Sequence, residues 1–106
     1  MKARVVSTDS ATISIEGELD FLTAVALRPE LEAAIDGAGK DIVLDLSGVS
    51  RANSVGLSLV LVAARRLSEK GGSLRLTEVP QALRSIATVC QLDEWLASVT
   101  LSPQAN

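Results

Sequence analysis

The chain contains no histidine, no tyrosine, one cysteine, one tryptophan and one phenylalanine. Without histidine it has no imidazole base, lacks the commonest transition-metal ligand, and has no simple pH switch near neutrality. A lone cysteine, Cys90, cannot form an internal disulfide. Aromatic residues make up 2% of the sequence, so the core has to be aliphatic. The same scarcity removes the platforms on which bases and sugars stack. A net charge of −3 argues against electrostatic binding to nucleic acid or to an anionic membrane. No apolar run approaches the roughly 20 residues that cross a bilayer, so direct membrane insertion is not expected. Met1-Lys2-Ala3-Arg4 leads into no long apolar stretch, which predicts no signal peptide and a cytoplasmic location.

What is present is 106 residues, 47% of them hydrophobic, enough for one core without disulfides or metal. A single domain over residues 1–101 is expected, with 102–106 as a frayed tail. Arg4 to Thr8 reads as a strand, Asp9-Ser10 as a turn, and Ala11 to Leu19 as a half-buried strand with alternating polarity. Together they predict a hairpin. Glu16 and Glu18 share one face, which is read as solvated. Thr23 to Ile35 has helical spacing, with Leu27, Leu31, Ala34 and Ile35 on one side. Pro29 either starts this helix or kinks it. Asp36-Gly37-Ala38-Gly39 closes it. Ile42 to Leu46 is apolar enough to be central in a sheet, and Ser47 to Asn53 reads as a loop.

A second helix is expected from about Ser54 to Lys70. Arg65, Arg66 and Lys70 match its negative end, and Gly71 suits a left-handed cap. Ser73 to Thr77 alternates as a strand. Pro80 suits the first turn of a third helix whose apolar stripe is Leu83, Ile86, Ala87 and Cys90. Asp93 to Ala97 reads as a helical turn carrying Trp95, over the end of the core or as an interface anchor. Ser98 to Leu101 reads as a last strand. Helices alternating with strands after a hairpin indicate an α/β layer fold with a partly parallel sheet.

No nucleophile–base pair, metal-ligand cluster or phosphate loop is visible, and Gly71-Gly72 is not followed by Lys-Ser/Thr. No catalytic residue, metal or cofactor is therefore expected. Asp45 is expected to bond loop backbone, and Cys90 to be a small core residue.

Attention falls instead on Ser54, at a helix start where unpaired N–H groups and the positive end of the macrodipole converge. It is either the N-cap or a residue used at an interface. Helical geometry turns Gly56, Val60, Ala63 and Leu67 toward the sheet, and Ser54, Ser58, Arg65 and Glu69 toward solvent. Leu61 and Val62 fall among the polar residues, and Leu57 flanks them. Either another segment covers these three, or they form a contact patch with Ser54, Ser58 and Arg65.

Asp45-Leu46-Ser47-x-Val49 followed by Asn53-Ser54-Val55-Gly56-Leu57 resembles the signature of STAS domains, the fold of anti-sigma factor antagonists. Gly17-Glu18-Leu19-Asp20, Gly71-Gly72 with Leu74-Arg75-Leu76, and Leu92-Asp93 also fit, so the resemblance covers nearly the whole chain. It implies a mixed β-sheet with an N-terminal hairpin and helices packed mainly on one side. It also implies that Asp20 lies near Ser54.

The run Ser54-Val55-Gly56-Leu57-Ser58-Leu59 resembles the small STAS subunit of Mla-type phospholipid ABC transporters more closely than the sporulation-type antagonists. That likeness implies a non-enzymatic subunit that binds the cytoplasmic ATPase subunit and supports its assembly or activity. Such a subunit would sit peripheral to the inner membrane through the complex. The alternative is an anti-sigma factor antagonist that binds a serine kinase and is released by phosphorylation of Ser54. Asn53 stands where the family motif carries Asp. It removes a negative charge beside Ser54 and keeps capping ability. Asn53 and the Leu-rich run from Ser54 to Ala64 favour the transporter reading.

Overall fold

The structure is a computed structural model and describes residues 3–101. Alternating polarity at the N-terminus forms strands β1 (Ala3–Ser7) and β2 (Thr12–Leu19), paired antiparallel with Val5 opposite Ile15. The turn between them is held by Asp9, whose carboxylate accepts from the Ala11 N–H at 2.8 Å. Ile13, Ile15 and Leu19 are buried on one face. On the other, Arg4 donates to Glu16 at 2.7 Å.

Helix α1 (Phe21–Asp36) leads to β3 (Asp41–Ala52), and α2 (Ser54–Glu69) leads to β4 (Ser73–Thr77). Both connections join parallel neighbours, and the strand order is β1-β2-β3-β4. Helices α3 (Gln81–Val89) and α4 (Asp93–Val99) are the last elements among the described residues. Ile42, Leu44, Leu46, Leu74 and Leu76 carry the sheet's buried face into one aliphatic cluster with Leu27, Leu31, Ile35, Val60, Leu67 and Leu83. The expected mixed sheet, opened by a hairpin, is the architecture observed.

Four boundaries differ from expectation, the first being that α1 starts at Phe21 and not Thr23, so Pro29 does not start it. The segment after Leu46 is not a loop: β3 continues to Ala52, paired with β2. Its polarity does not alternate because its register slips twice. Ser14 and Glu16 pair with Asp45 and Gly48, and Gly17 and Glu18 pair with Val49 and Arg51, so each slip places one extra residue on β3. Pro29 lies inside α1, on its exposed side. It removes the N–H that the Val25 carbonyl would have used, a cost reduced where water can reach the freed group. The last strand is not formed: α4 runs to Val99, and only Thr100 bridges to Leu76. Pro80 is the N-cap of α3, one residue before its first turn. The expected tail, 102–106, lies outside the described residues.

Cys90 is exposed, contrary to the core assignment. Helix α3 ends at Val89, and Gln91 takes a left-handed φ of 61°. The apolar stripe through Leu83 and Ala87 therefore stops before Cys90. Trp95 is half-buried against the core cluster.

The ends of α1 and α2 are tied together. The Lys70 ammonium donates to the carbonyls of Ile35 at 2.6 Å, Ala38 at 3.0 Å and Gly39 at 3.2 Å. Gly71 turns the chain with φ 76°, and Gly72 then passes so close to Lys40 that a Cβ there would lie 1.7 Å from its carbonyl oxygen. Gly72→Ala is thus expected to cost about 3 kcal/mol or more through backbone displacement. Gly71→Ala, strained only by its left-handed backbone, should cost about 1 kcal/mol. Chemical denaturation of both variants checks the ranking, and equal costs would contradict the close approach.

Candidate functional site

Two helix starts meet at one end of the sheet. Asp20 caps α1: its carboxylate accepts from the Thr23 N–H at 2.9 Å, and the Thr23 hydroxyl accepts from the Asp20 N–H at 2.9 Å. This reciprocal pair satisfies two donors that the helix would otherwise leave open. The Thr23 N–H also holds the Asp20 carboxyl below its ordinary value of 3.8.

Asn53 caps α2, its side chain accepting from the Val55 N–H at 2.9 Å. Its own N–H donates to the Leu19 carbonyl at 3.3 Å. Asp20 and Asn53 line one cleft of about 310 Å³ with Glu18, Leu19, Arg51 and Ala52. Asp20 thus shares a cleft with Asn53, the residue before Ser54; Ser54 itself does not line it.

Ser54 is therefore not the N-cap but the first helical residue, and it is exposed. Its hydroxyl makes no hydrogen bond among the described residues, while the Ser58 hydroxyl reaches back to the Ser54 carbonyl at 3.5 Å. Capping by Asn53 is what leaves the Ser54 hydroxyl uncommitted. Gly56 lets this turn sink against the fold, since a Cβ there would sit 3.2 Å from both Leu19 and Leu83.

The exposed stripe of α2 is Ser54, Ser58, Leu61 and Arg65, with Val62 half-buried beside it. Leu57 does not belong to it. It is 3% exposed and packs in the core, so its expected place in a contact patch is corrected. Helix α2 is flanked on both sides as well as below, which widens its buried arc. Val55, Leu59 and Val62 line a groove against α1. At about 100° per residue, Leu57 falls on the opposite flank, toward α3. Leu59 is buried for the same reason.

The reading from sequence missed the α1 side of this surface. Phe21 is 68% exposed, Leu22 79% and Val25 63%. Phe21, Val25 and Arg28 face Val55, Ser58 and Val62 across an apolar groove of about 170 Å³. The signal was available: Phe21, Val25 and Arg28 recur at helical spacing right after the capping Asp20. Starting the helix at Thr23 hid it.

The far end of the groove is charged. Arg66 donates to Asp36 at 2.9 and 2.6 Å and lies 3.8 Å from Glu32. That hydrogen bonding lowers the pKa of Asp36 and raises that of Arg66. Arg28 meets Glu32 at 3.4 Å and Arg65 meets Glu69 at 3.6 Å, loose pairs on single helices. Asp45 accepts from the Ser47 N–H at 2.9 Å, beside the first register slip, so it bonds backbone as expected. Among the described residues no three His, Cys, Asp or Glu side chains gather as a metal site. The arrangement suits docking: the uncommitted Ser54 hydroxyl, aliphatic side chains and mixed charge on one ridge.

The family model described as "Mlab, STAS domain" matches residues 3–101. BtrV of Bordetella bronchiseptica, assigned by name to the anti-sigma factor antagonists, is 31% identical over 87 residues, covering 81% of this chain and 75% of that protein. The anti-sigma F factor antagonist of Lysinibacillus sphaericus is 29% identical over 97 residues, covering 91% and 83%. The crystal structure of an anti-sigma factor antagonist from Mycobacterium paratuberculosis superposes with a TM-score of 0.70 at 28% identity, over 94% of this chain and 83% of that one. Unphosphorylated SpoIIAA shares the fold, with a TM-score of 0.71 at 24% identity, over 96% and 88%.

Leu57→Ala is expected to cost about 3 kcal/mol as a core cavity, and Leu61→Ala less than about 1 kcal/mol as a surface change. Denaturant unfolding of the two distinguishes the flanks of α2. Asp20 predicts a pH effect. Its carboxyl is held low in the folded state, so the stability it adds is present above 3.8 and lost as pH falls through the lower folded value. Asp20→Asn keeps an acceptor and removes the titration. Acid melts below about pH 4 should show a shallower loss of stability than wild type; an identical acid limb would contradict the cap's electrostatic role.

Proposed function

This chain belongs to the STAS domain family, and from that premise we propose that it is a non-enzymatic binding module of the anti-sigma factor antagonist type. The observation that carries the reading is the free Ser54 hydroxyl, exposed at the first position of α2 while Asn53 does the capping. The names of the relatives at 31% and 29% identity support the same reading. The partner is an anti-sigma factor serine kinase. It contacts Ser54, Ser58, Leu61, Val62 and Arg65, with Asp20 and Asn53 supporting the ridge from below.

Phosphorylation moves the γ-phosphoryl group of ATP to the Ser54 oxygen, which loses its proton to a base of the kinase while ADP departs as the leaving group. At a helix start the added charge is compatible with the fold. In a contact packed against a kinase it is not, because a charge desolvated without a counter-charge weakens the complex. Asn53, in place of Asp, leaves this seryl group without an acidic residue immediately before it, which separates the chain from the usual motif.

A second reading rests on the description of the matched family model, Mlab. In it the same ridge binds the ATPase subunit of an Mla-type phospholipid ABC transporter, and the protein lies at the inner membrane through that complex. One argument for it has weakened. Leu57 and Leu59 are core residues, so the Leu-rich run of α2 is largely explained by folding. No helix among the described residues is long and apolar enough to cross a membrane, so in either reading attachment runs through a protein partner. A cytoplasmic location accords with both proposed partners.

The test is calorimetric titration of wild type, Ser54→Ala and Ser54→Asp against an anti-sigma factor serine kinase from the same organism, with an Mla-type ATPase as the second titrant. Neither substitution removes the cap, so both variants should melt like wild type. Ser54→Ala should bind the kinase within about threefold of wild type, and Ser54→Asp at least tenfold more weakly, about 1.4 kcal/mol. Equal binding of Ser54→Asp would remove the switch. Binding to the ATPase alone would select the second reading.

A further inference from the structure

We infer that the groove between α1 and α2 is the contact face of a two-fold homodimer, each copy laying its α1 over the α2 of the other. Phe21 and Val25 are more than half exposed on one wall, and Val55, Leu59 and Val62 form the other. An aliphatic and aromatic surface of this kind is what association covers.

Both helices begin at the same end, since Phe21 and Val55 lie at the two starts and line the same groove. A two-fold axis parallel to the helices therefore brings apolar turn against apolar turn.

The charged end selects a second copy as the occupant. A two-fold interface joins one surface to itself, so its rim has to be self-complementary. The groove continues past Leu61 and Val62 to Arg28, Arg65 and Arg66 with Glu32 and Glu69. Arg66 is committed to Asp36 by two hydrogen bonds. Arg28 with Glu32 and Arg65 with Glu69 are the loose pairs that remain, an equal number of each sign, and Glu32, its side chain 25% exposed, also lies 3.8 Å from Arg66.

The heights also match. Arg66 reaches Glu32 at 3.8 Å, so its neighbour Arg65 stands level with Glu32 along the helix pair. With α1 of one copy over α2 of the other, each Arg65 faces the other copy's Glu32, and the pairing occurs twice. Arg65 has a side chain 84% exposed and only a 3.6 Å contact to Glu69, so it is free to turn. The dimer covers Ser58 and Val62, and it therefore competes with any partner that uses the same ridge.

Sedimentation velocity at about 100 µM, without any partner, tests this independently of the function proposed above; that concentration lies well above the micromolar affinities common for modest interfaces. Wild type should sediment as a dimer. Phe21→Glu places a carboxylate at a helix start, where it is favourable, so it should stay folded by circular dichroism and sediment as a monomer. Arg65→Glu should weaken the dimer at least tenfold, and Arg65→Glu combined with Glu32→Arg should restore much of it. A monomeric wild type would overturn the inference and leave the groove to a different protein. A dimer that persists in folded Phe21→Glu would also overturn it, by placing the contact elsewhere.

Discussion

The clamp at the carboxyl ends of α1 and α2 holds the rest of the surface in place. Lys70 donates to the Ile35 carbonyl in the last turn of α1 and to those of Ala38 and Gly39 just beyond it, and Gly72 passes against Lys40 where no side chain fits. Lys70 acts as the missing donor for the last turn of a helix other than its own, a turn that α1 leaves without basic residues. The Arg66–Asp36 pair adds lateral alignment. Two helices pinned side by side at one end must present their starts side by side at the other. The groove of Phe21, Val25, Val55 and Val62 is the consequence.

At that opposite end, division of labour between neighbouring residues makes the surface usable. Asp20 and Asn53 take the capping work, each accepting a backbone N–H of its own helix. Ser54 is thereby released from a structural role. The two register slips in β3 carry the strand to Ala52, so that Asn53 follows directly and meets the end of β2 through the Leu19 carbonyl. Strand irregularity, cap and exposed hydroxyl form one connected arrangement. A shift in any of them would change which residue caps α2 and which faces outward.

Much of this was legible in local pattern. Period-two polarity marked β1, β2 and β4, and helical spacing marked α1 and α2, because half-buried elements must alternate in step with their geometry. The slipped part of β3 was illegible for the same reason: an extra residue breaks the alternation that identifies a strand. Thr100 and Leu101 read as strand because their composition permits it. Among the described residues that segment makes a single bridge to β4, Thr100 to Leu76. On the site, Ser54, Ser58, Leu61 and Arg65 were correctly placed outward by spacing, and Leu57 was not. Spacing gives direction around a helix axis but not the number of neighbours, and α3 covers the flank on which Leu57 lies.

By itself, then, the sequence determined the aliphatic core, the α/β order of elements, the turn at Gly71-Gly72 and the motif around Ser54, since each depends on residues close in the chain. Only the tertiary structure decided that Asn53 and not Ser54 is the cap, that Leu57 and Leu59 are core, and that Phe21 and Val25 face α2. Those outcomes depend on which surfaces meet, and burial at one position is set by side chains distant in sequence. The groove belongs to neither helix alone, so no local pattern could have announced it.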